Sequence, residues 1–333
     1  MSKRYQPPFS VTAKIISQVA AIGESIGRLG AAQTTAVRLR RINRIRTIQG
    51  SLAIEGNTLS EEQITAILDG KPVIAPPREV LEARNALAAY ERLPQWQPAN
   101  EKHLLAAHAS LMKGLVKEAG RYRRGGVGVM QGEQVVHMAP PASRVPVLMK
   151  NLLRWLAETD QHPLIAGSVF HYEFEFIHPF SDGNGRMGRL WQTLILSRWN
   201  PLFAYVPVES LVHAHQAGYY AALKDSTRRG DSGVFIEFML ARLLEAIAAA
   251  GSAGEARGTS NKTPVKMPVK TSVKTADRIL ALLRRQPTLT LAEVAAHLDR
   301  STRAIERAAR KLRDAGRLRY LGPQKGGHWE VGP

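Results

Sequence analysis

Apolar residues recur at spacings of three and four through most of the first 250 positions. VTAKIISQVAAIGESIGRL (from Val11), VLEARNALAAYERL (from Val80), EKHLLAAHASLMKGLV (from Glu101) and VPVLMKNLLRWLAET (from Val145) each put one apolar stripe on a helical face. PLIAGSVFHYEFEFI and MGRLWQTLILSRW repeat the pattern on either side of the twelve residues His178 to Arg189. The spacing predicts a mostly helical domain with those twelve residues as a loop between two helices. One stretch breaks the period. From Gly120 to Pro141, glycines, alternating valines and a Gln131-Gly132 turn predict a short β-hairpin that Pro140 and Pro141 stop.

Gly251 to Lys274 is rich in Gly, Ser, Thr, Pro and Lys without apolar periodicity, which predicts an extended, solvated linker over 251–274. Beyond it, over 275–333, come three short helical patterns and two strand-like pieces around Gly326-Gly327. That order predicts a small α+β winged helix-turn-helix domain. LAEVAAHL is its first motif helix and STRAIERAARKLRDAG its second, with Ser301 as N-cap and Arg303, Arg307, Arg310 and Lys311 projecting at near-helical spacing. LRYLGPQKGGHWEV reads as the wing, with Lys325 at its tip.

Composition narrows the picture. The 333 residues are 44% hydrophobic and contain no cysteine, which excludes disulfides, thiolate metal ligands and a thiol nucleophile. MSKRYQPPFS lacks the apolar core of a signal peptide, and no run reaches the roughly 18–20 apolar residues of a membrane span, so a cytoplasmic protein without a membrane partner is expected. The net charge is +18; the residues from Gly251 onward supply 17 bases and 7 acids, hence +10 of it. An excess of that sign favours acidic partners, nucleotides and nucleic acid among them. For the basic C-terminal module, nucleic acid and a second protein both stay open as partners.

The loop HPFSDGNGRMGR carries the chemistry. Gly183, Asn184 and Gly185 tolerate positive φ and let backbone N–H groups converge, and a helix starting near Arg186 aims its unpaired donors and positive dipole end at the same place. Arg186 and Arg189, three apart, offer guanidinium forks to a polyphosphate. Asp182 is an oxygen ligand suited to Mg²⁺, which prefers one or two carboxylates with phosphate oxygens and water. His178 is the group that takes a proton near neutral pH, and so the candidate general base. Together they specify metal-assisted nucleotidyl transfer. His213 and His215, an HxH with no carboxylate partner expected in reach, read as structural.

The same string resembles the signature of the Fic (Fic/Doc) family, H-x-F-x-D/E-G-N-G-R-x-x-R, at His178, Phe180, Asp182, Gly183, Asn184, Gly185, Arg186 and Arg189. The resemblance implies a helical enzyme core over 101–250 that moves AMP from ATP onto a Ser, Thr or Tyr hydroxyl of a target protein. His178 would deprotonate the hydroxyl, Phe180 would be a buried anchor, and Asp182 would hold Mg²⁺. Gly183, Asn184 and Gly185, continuing through Met187 and Gly188, would form the phosphate cradle, with Arg186 and Arg189 on the β and γ phosphates. The hairpin at 127–138 would be the flap on which the target docks by strand addition. A phosphate-transferring branch carries Lys where this chain has Gly185, which favours AMP transfer. Tyr219 and Tyr220 resemble the tyrosine pair of the adenine pocket, although ordinary helix packing explains them equally, and Thr227 stands where relatives often have Asn.

SLAIEGN, Ser51 to Asn57, resembles the family's inhibitory motif, within an N-terminal helical region over 1–100. Ser51 and Glu55 share a helical face and Gly56 is a typical helix end. The resemblance places an inhibitory helix at about 44–56 and pairs Glu55 with Arg189 in place of the γ-phosphate. Low basal activity follows. Two other readings use the same residues: an enzyme running mainly in reverse to remove AMP, and a DNA-binding regulator whose Fic domain senses nucleotide. Self-association through the N-terminal helices or the winged helix also stays open.

Overall fold

The computed structural model of the chain describes residues 5–31, 37–131, 134–255, 279–280, 282–284, 286–297, 302–314, 316–321 and 327–331. It divides into two compact units, Met1–Ser260 and Asn261–Pro333.

The first unit is helical. Its elements are α1 Ala13–Ala31, α2 Val37–Ile54, α3 Glu61–Leu68, α4 Pro77–Glu91, α5 Glu101–Leu111, α6 Val145–Glu158, α7 Pro163–Ile177, α8 Asn184–Trp199, α9 Val208–Ala214, α10 Gln216–Arg229 and α11 Gly233–Glu255. Between α5 and α6 lies the one sheet described in this unit, an antiparallel pair of β1 Gly128–Gln131 and β2 Gln134–Met138. Its register shifts between Val129 and Met130, a bulge that bends the hairpin. The predicted turn at Gln131-Gly132 falls partly outside the described residues.

The helix pair α7 and α8 is the centre of the unit. Twelve of the fifteen α7 residues are buried, so this helix is apolar nearly all round and is wrapped by others, as its run of Leu, Ile, Val and Phe dictates. One continuous core runs from Ile15 through Ile48, Leu87, Trp96, Leu152, Phe170 and Trp191 to Ile247. α11 extends to Glu255, five residues into the stretch expected to be linker. The segment GSAGE continues a helix already nucleated and packed upstream, where adding a residue costs far less than starting a helix.

α2 also differs from the sequence reading. It is longer at its start and ends at Ile54, so Glu55 and Gly56 lie beyond it rather than within a helix at 44–56. Gly56 adopts φ +86°. The Gly56 N–H donates to Ala53 O and the Asn57 N–H to Leu52 O, the paired bonds of a glycine-terminated helix end. Glu55 is thus held at a fixed turn instead of on a continuing helical face.

In the second unit, α12 Leu291–His297 and α13 Thr302–Asp314 precede the antiparallel strands β3 Leu318–Leu321 and β4 His328–Val331. Ile279, Leu283, Val294, Ile305, Leu312, Leu318 and Trp329 form its core. Arg310, Arg313, Arg317 and Arg319 are exposed. Ser301 and Lys325 lie outside the described residues, as do the side chains of Arg303, Arg307 and Lys311.

Candidate active site

α7 ends because His178 turns left-handed, φ +49° and ψ 61°, and Pro179 follows, which cannot continue a helix. His178 is the only non-glycine residue with positive φ among those described. Such a conformation costs roughly 1–3 kcal/mol and persists only where surrounding structure enforces it. The enforcement comes from Arg123, the last residue of the GRYR that leads into the hairpin, to which sequence reasoning gave no role. Its guanidinium donates to His178 O at 2.7 Å, Gly125 O at 2.8 Å and Ile177 O at 3.3 Å, and also to Pro140 O. One buried fork therefore ties both ends of the hairpin region to the turn that carries His178. Local sequence offers no signal for this: Arg123 stands 55 residues from its partner.

Phe180 is fully buried, as an anchor should be, and stacks face to face on His108 with centroids 3.6 Å apart. The imidazole of His108 joins two loops, accepting from Gly120 N–H at 2.8 Å and lying 3.0 Å from Asp182 O. Burial lowers its pKa to about 4, which keeps the ring neutral. The Asn184 amide closes the loop by accepting from Phe180 N–H and donating to Phe180 O, both at 2.9 Å. Gly183 has φ +83°, and a Cβ there would meet the Met112 sulfur at 2.6 Å. The loop needs this glycine for both reasons.

α8 begins at Asn184, two residues earlier than expected. Its amides at 184–186 precede the first intrahelical bond, from Met187 N–H to Gly183 O at 3.0 Å. Hence the N–H donors at this helix end without an intrahelical acceptor are those of Asn184, Gly185 and Arg186. Met187 and Gly188 do not extend the cradle: Met187 has its amide engaged and its side chain fully buried, and Gly188 faces His171 and Glu175.

The two arginines point to different partners. Arg186 approaches Asp182 at 3.2 Å and Glu82 of α4 at 3.7 Å. Arg189 donates to Glu55 Oε1 at 2.7 Å, to Ser51 O at 3.0 Å and to Ser51 Oγ at 3.2 Å. Burial pulls the Arg189 guanidinium down, but Glu55, Tyr219 and Glu175 around it together more than offset this, so its pKa rises overall. Glu55 Oε1 would also lie 2.5 Å from a Cβ at Gly185, so the carboxylate rests against the cradle backbone itself.

Asp182 is 40% exposed; its Oδ1 accepts from Gly183 N–H and Arg186, and its Oδ2 lies 3.6 Å from Arg78. No group of three metal-ligating side chains occurs among the described residues. The paired tyrosines divide. Tyr219 is buried against His171, Phe235 and Phe238, with its hydroxyl 3.1 Å from His171 Nε2, whereas Tyr220 remains 36% exposed. Of the two, only Tyr220 has ring surface open for stacking. Thr227 packs at 3.2 Å from the Tyr172 hydroxyl and does not enter the loop. His213 and His215 are exposed, and His215 lies 3.7 Å from Glu245.

The fold and this site define a helical domain built around a histidine-bearing, glycine-rich loop with two arginines at the start of the following helix. Residues 98–196 match the Fic/DOC family. A crystal structure of a Fic family protein from Desulfovibrio desulfuricans G20 is 46% identical, covers 98% of each chain and superposes with a TM-score of 0.74. The chain belongs to the Fic family. Fic-1 from C. elegans shares the fold, with a TM-score of 0.59 over 73% of this chain and 72% of that one at 24% identity. Protein adenylyltransferase Fic from Nematostella vectensis is 29% identical over 207 residues, 58% of this chain and 45% of the relative. Its Culex quinquefasciatus counterpart is 31% identical over 208 residues, 59% of this chain and 39% of the relative. The chain thus spans less than half the length of the curated relatives it matches. Among the described residues no helix is long and apolar enough to cross a membrane.

Proposed function

We propose that the chain is a protein adenylyltransferase that moves AMP from ATP onto a Ser, Thr or Tyr hydroxyl of a target protein, and that Glu55 holds it in check. The observation that carries this reading is the seating of the Glu55 carboxylate on Arg189 and against Gly185, within the loop that bears His178. An anion already occupies a place suited to a phosphate. Relatives named protein adenylyltransferase support the reaction class.

In this reading the target hydroxyl loses its proton to His178 and its oxygen bonds to the α-phosphorus. The bond to the bridging oxygen breaks and pyrophosphate leaves with the electron pair. The amides of Asn184, Gly185 and Arg186 and the two guanidinium groups take up the phosphate charge. A single half-exposed carboxylate, Asp182, fits Mg²⁺, which binds through one or two carboxylates and completes its shell with phosphate oxygens and water; bound there, the ion would neutralise charge on the phosphates. The flap at 127–138, pinned at its base by Arg123, supports a docking strand for the target.

Incubation with α-labelled ATP and Mg²⁺ tests the proposal. The wild-type chain should label weakly, Glu55→Gly at least tenfold more strongly, and Glu55→Gly with His178→Ala not at all. Absence of label with Glu55→Gly overturns it. For the C-terminal unit, the exposed arginines on α13 and β3 support nucleic acid as the partner. Titration against duplex DNA at rising salt tests this, and no binding at low salt excludes it.

A further inference from the structure

Glu175 stands three residues before His178 and has no part in the scheme above. Its side chain is 13% exposed, and its Oε1 is shut off from solvent without a hydrogen-bond partner. A buried carboxyl oxygen left unsatisfied is costly. Its neighbours are unusual for a structural residue. Oε2 lies 4.0 Å from His178 Nδ1, and the backbone oxygen of the same glutamate lies 3.4 Å from that nitrogen. Oε1 lies 3.8 Å from His171 Nε2 and would be 3.1 Å from a Cβ at Gly188, so the helix that follows the loop leaves room for this carboxyl group.

We propose that Glu175 is a positioning residue for His178: its backbone and carboxyl oxygens together face Nδ1, fix the ring with its proton on that nitrogen, and leave Nε2 to accept the proton of the incoming hydroxyl. A carboxyl group beside the far nitrogen also stabilises the imidazolium that forms when the base is protonated, as an acid behind a catalytic histidine does in general. The inference rests on the adenylyl-transfer reading and adds to it.

The charges around Glu175 couple it to the brake. It faces His171 and His178 on α7, Arg189 on α8, Glu55 beyond α2 and Tyr219 on α10. Burial raises its pKa to about 7, with Arg189 opposing and Glu55 adding to the rise. Withdrawal of Glu55 removes one of the charges that keep Glu175 protonated. The carboxylate behind His178 is then easier to form when the site is released.

The test uses the full chain in two measurements. In the Glu55→Gly background, Glu175→Gln should lower kcat for AMP transfer by about 10- to 100-fold, change KM for ATP little, and move the acidic limb of the pH profile to lower pH. In ¹⁵N imidazole NMR, with His178→Ala for assignment, the same change should lower the His178 titration midpoint, because the imidazolium loses an anionic neighbour. If Glu175→Gln does not fold, Glu175→Asp, which keeps the charge on a shorter arm, should lower kcat and move the same midpoint. A chain whose His178 titration is unaltered overturns the proposal. So does a change confined to KM, which would place the action of Glu175 on Arg189. If Glu55→Gly transfers no AMP, the adenylyl-transfer reading fails, and the NMR titration still decides the role of Glu175.

Discussion

A methyl group added at Gly50 should release the proposed Glu55 brake from five residues away. Here α2 touches α9 backbone to backbone: a Cβ on Gly50 would stand 2.5 Å from Ser210 N and 2.6 Å from Glu209 C. α9 is anchored, because buried Glu209 accepts from Thr193 at 2.9 Å and from Tyr90 at 3.1 Å. The displacement therefore falls on α2. Restoring ordinary contact needs about 1 Å, which stretches the 2.7 Å Glu55–Arg189 contact beyond hydrogen-bonding distance. A hydrogen bond between charged groups is worth roughly 1.5–3 kcal/mol, and Glu55, a third exposed, belongs near the lower end. About 1.5–2 kcal/mol corresponds to about 10–30-fold more AMP transfer. Stability moves the other way. Overpacking costs about 1–3 kcal/mol, more than the roughly 0.5–1 kcal/mol that alanine gains over glycine within a helix.

The assay compares label from α-labelled ATP on wild type, Gly50→Ala, Glu55→Gly and the double variant, with thermal melts alongside. Gly50→Ala should approach Glu55→Gly, and the double variant should not exceed Glu55→Gly alone, since both remove one contact. A Gly50→Ala chain that melts earlier yet labels no more than wild type would refute the reasoning.

Other perturbations have equally definite outcomes. Asn184→Ala strands the buried N–H and C=O of Phe180 and should cost about 2–4 kcal/mol, visible as a melting temperature several degrees lower; an unchanged melt contradicts the loop-closing role. Arg123→Lys replaces a fork that spans four carbonyls with one ammonium, so backbone amides of 125–131 and 134–139 should exchange faster with solvent, and equal protection would count against the pinning of the hairpin. Burial raises the Glu209 pKa to about 7, so the stability tied to its protonated form is full below about 4.5 and is lost as pH rises through about 7. Glu209→Gln should therefore narrow the difference between melting temperatures at pH 5 and pH 8. A difference as large as in wild type would show that Glu209 does not titrate in the fold.

Much of the helical core was legible because each helix buries a face wide enough to leave a periodic trace. Helix boundaries were less so. α5 stops at Leu111 although its apolar pattern runs on to Val116, because Gly114 turns left-handed, φ +72°. α11 runs into a polar stretch that composition marks as linker. The tyrosine pair shows the same limit for function, since Tyr219 and Tyr220 are equivalent in sequence and only packing buries one and exposes the other.

What the chain determined by itself was an inventory of neighbouring groups: a histidine before a proline turn, a glycine where φ is positive, a carboxylate and two arginines. These choices are local, set by backbone sterics and by the chemistry of single side chains. Tertiary structure decided how that inventory is engaged. Arg123, Glu82 and His108 reach the loop from places that no spacing rule links to it, and Arg186 and Arg189 diverge to separate carboxylates although they share a helical face. The reason is that burial and charge pairing depend on which helices pack together, and that depends on the whole core rather than on any twelve residues.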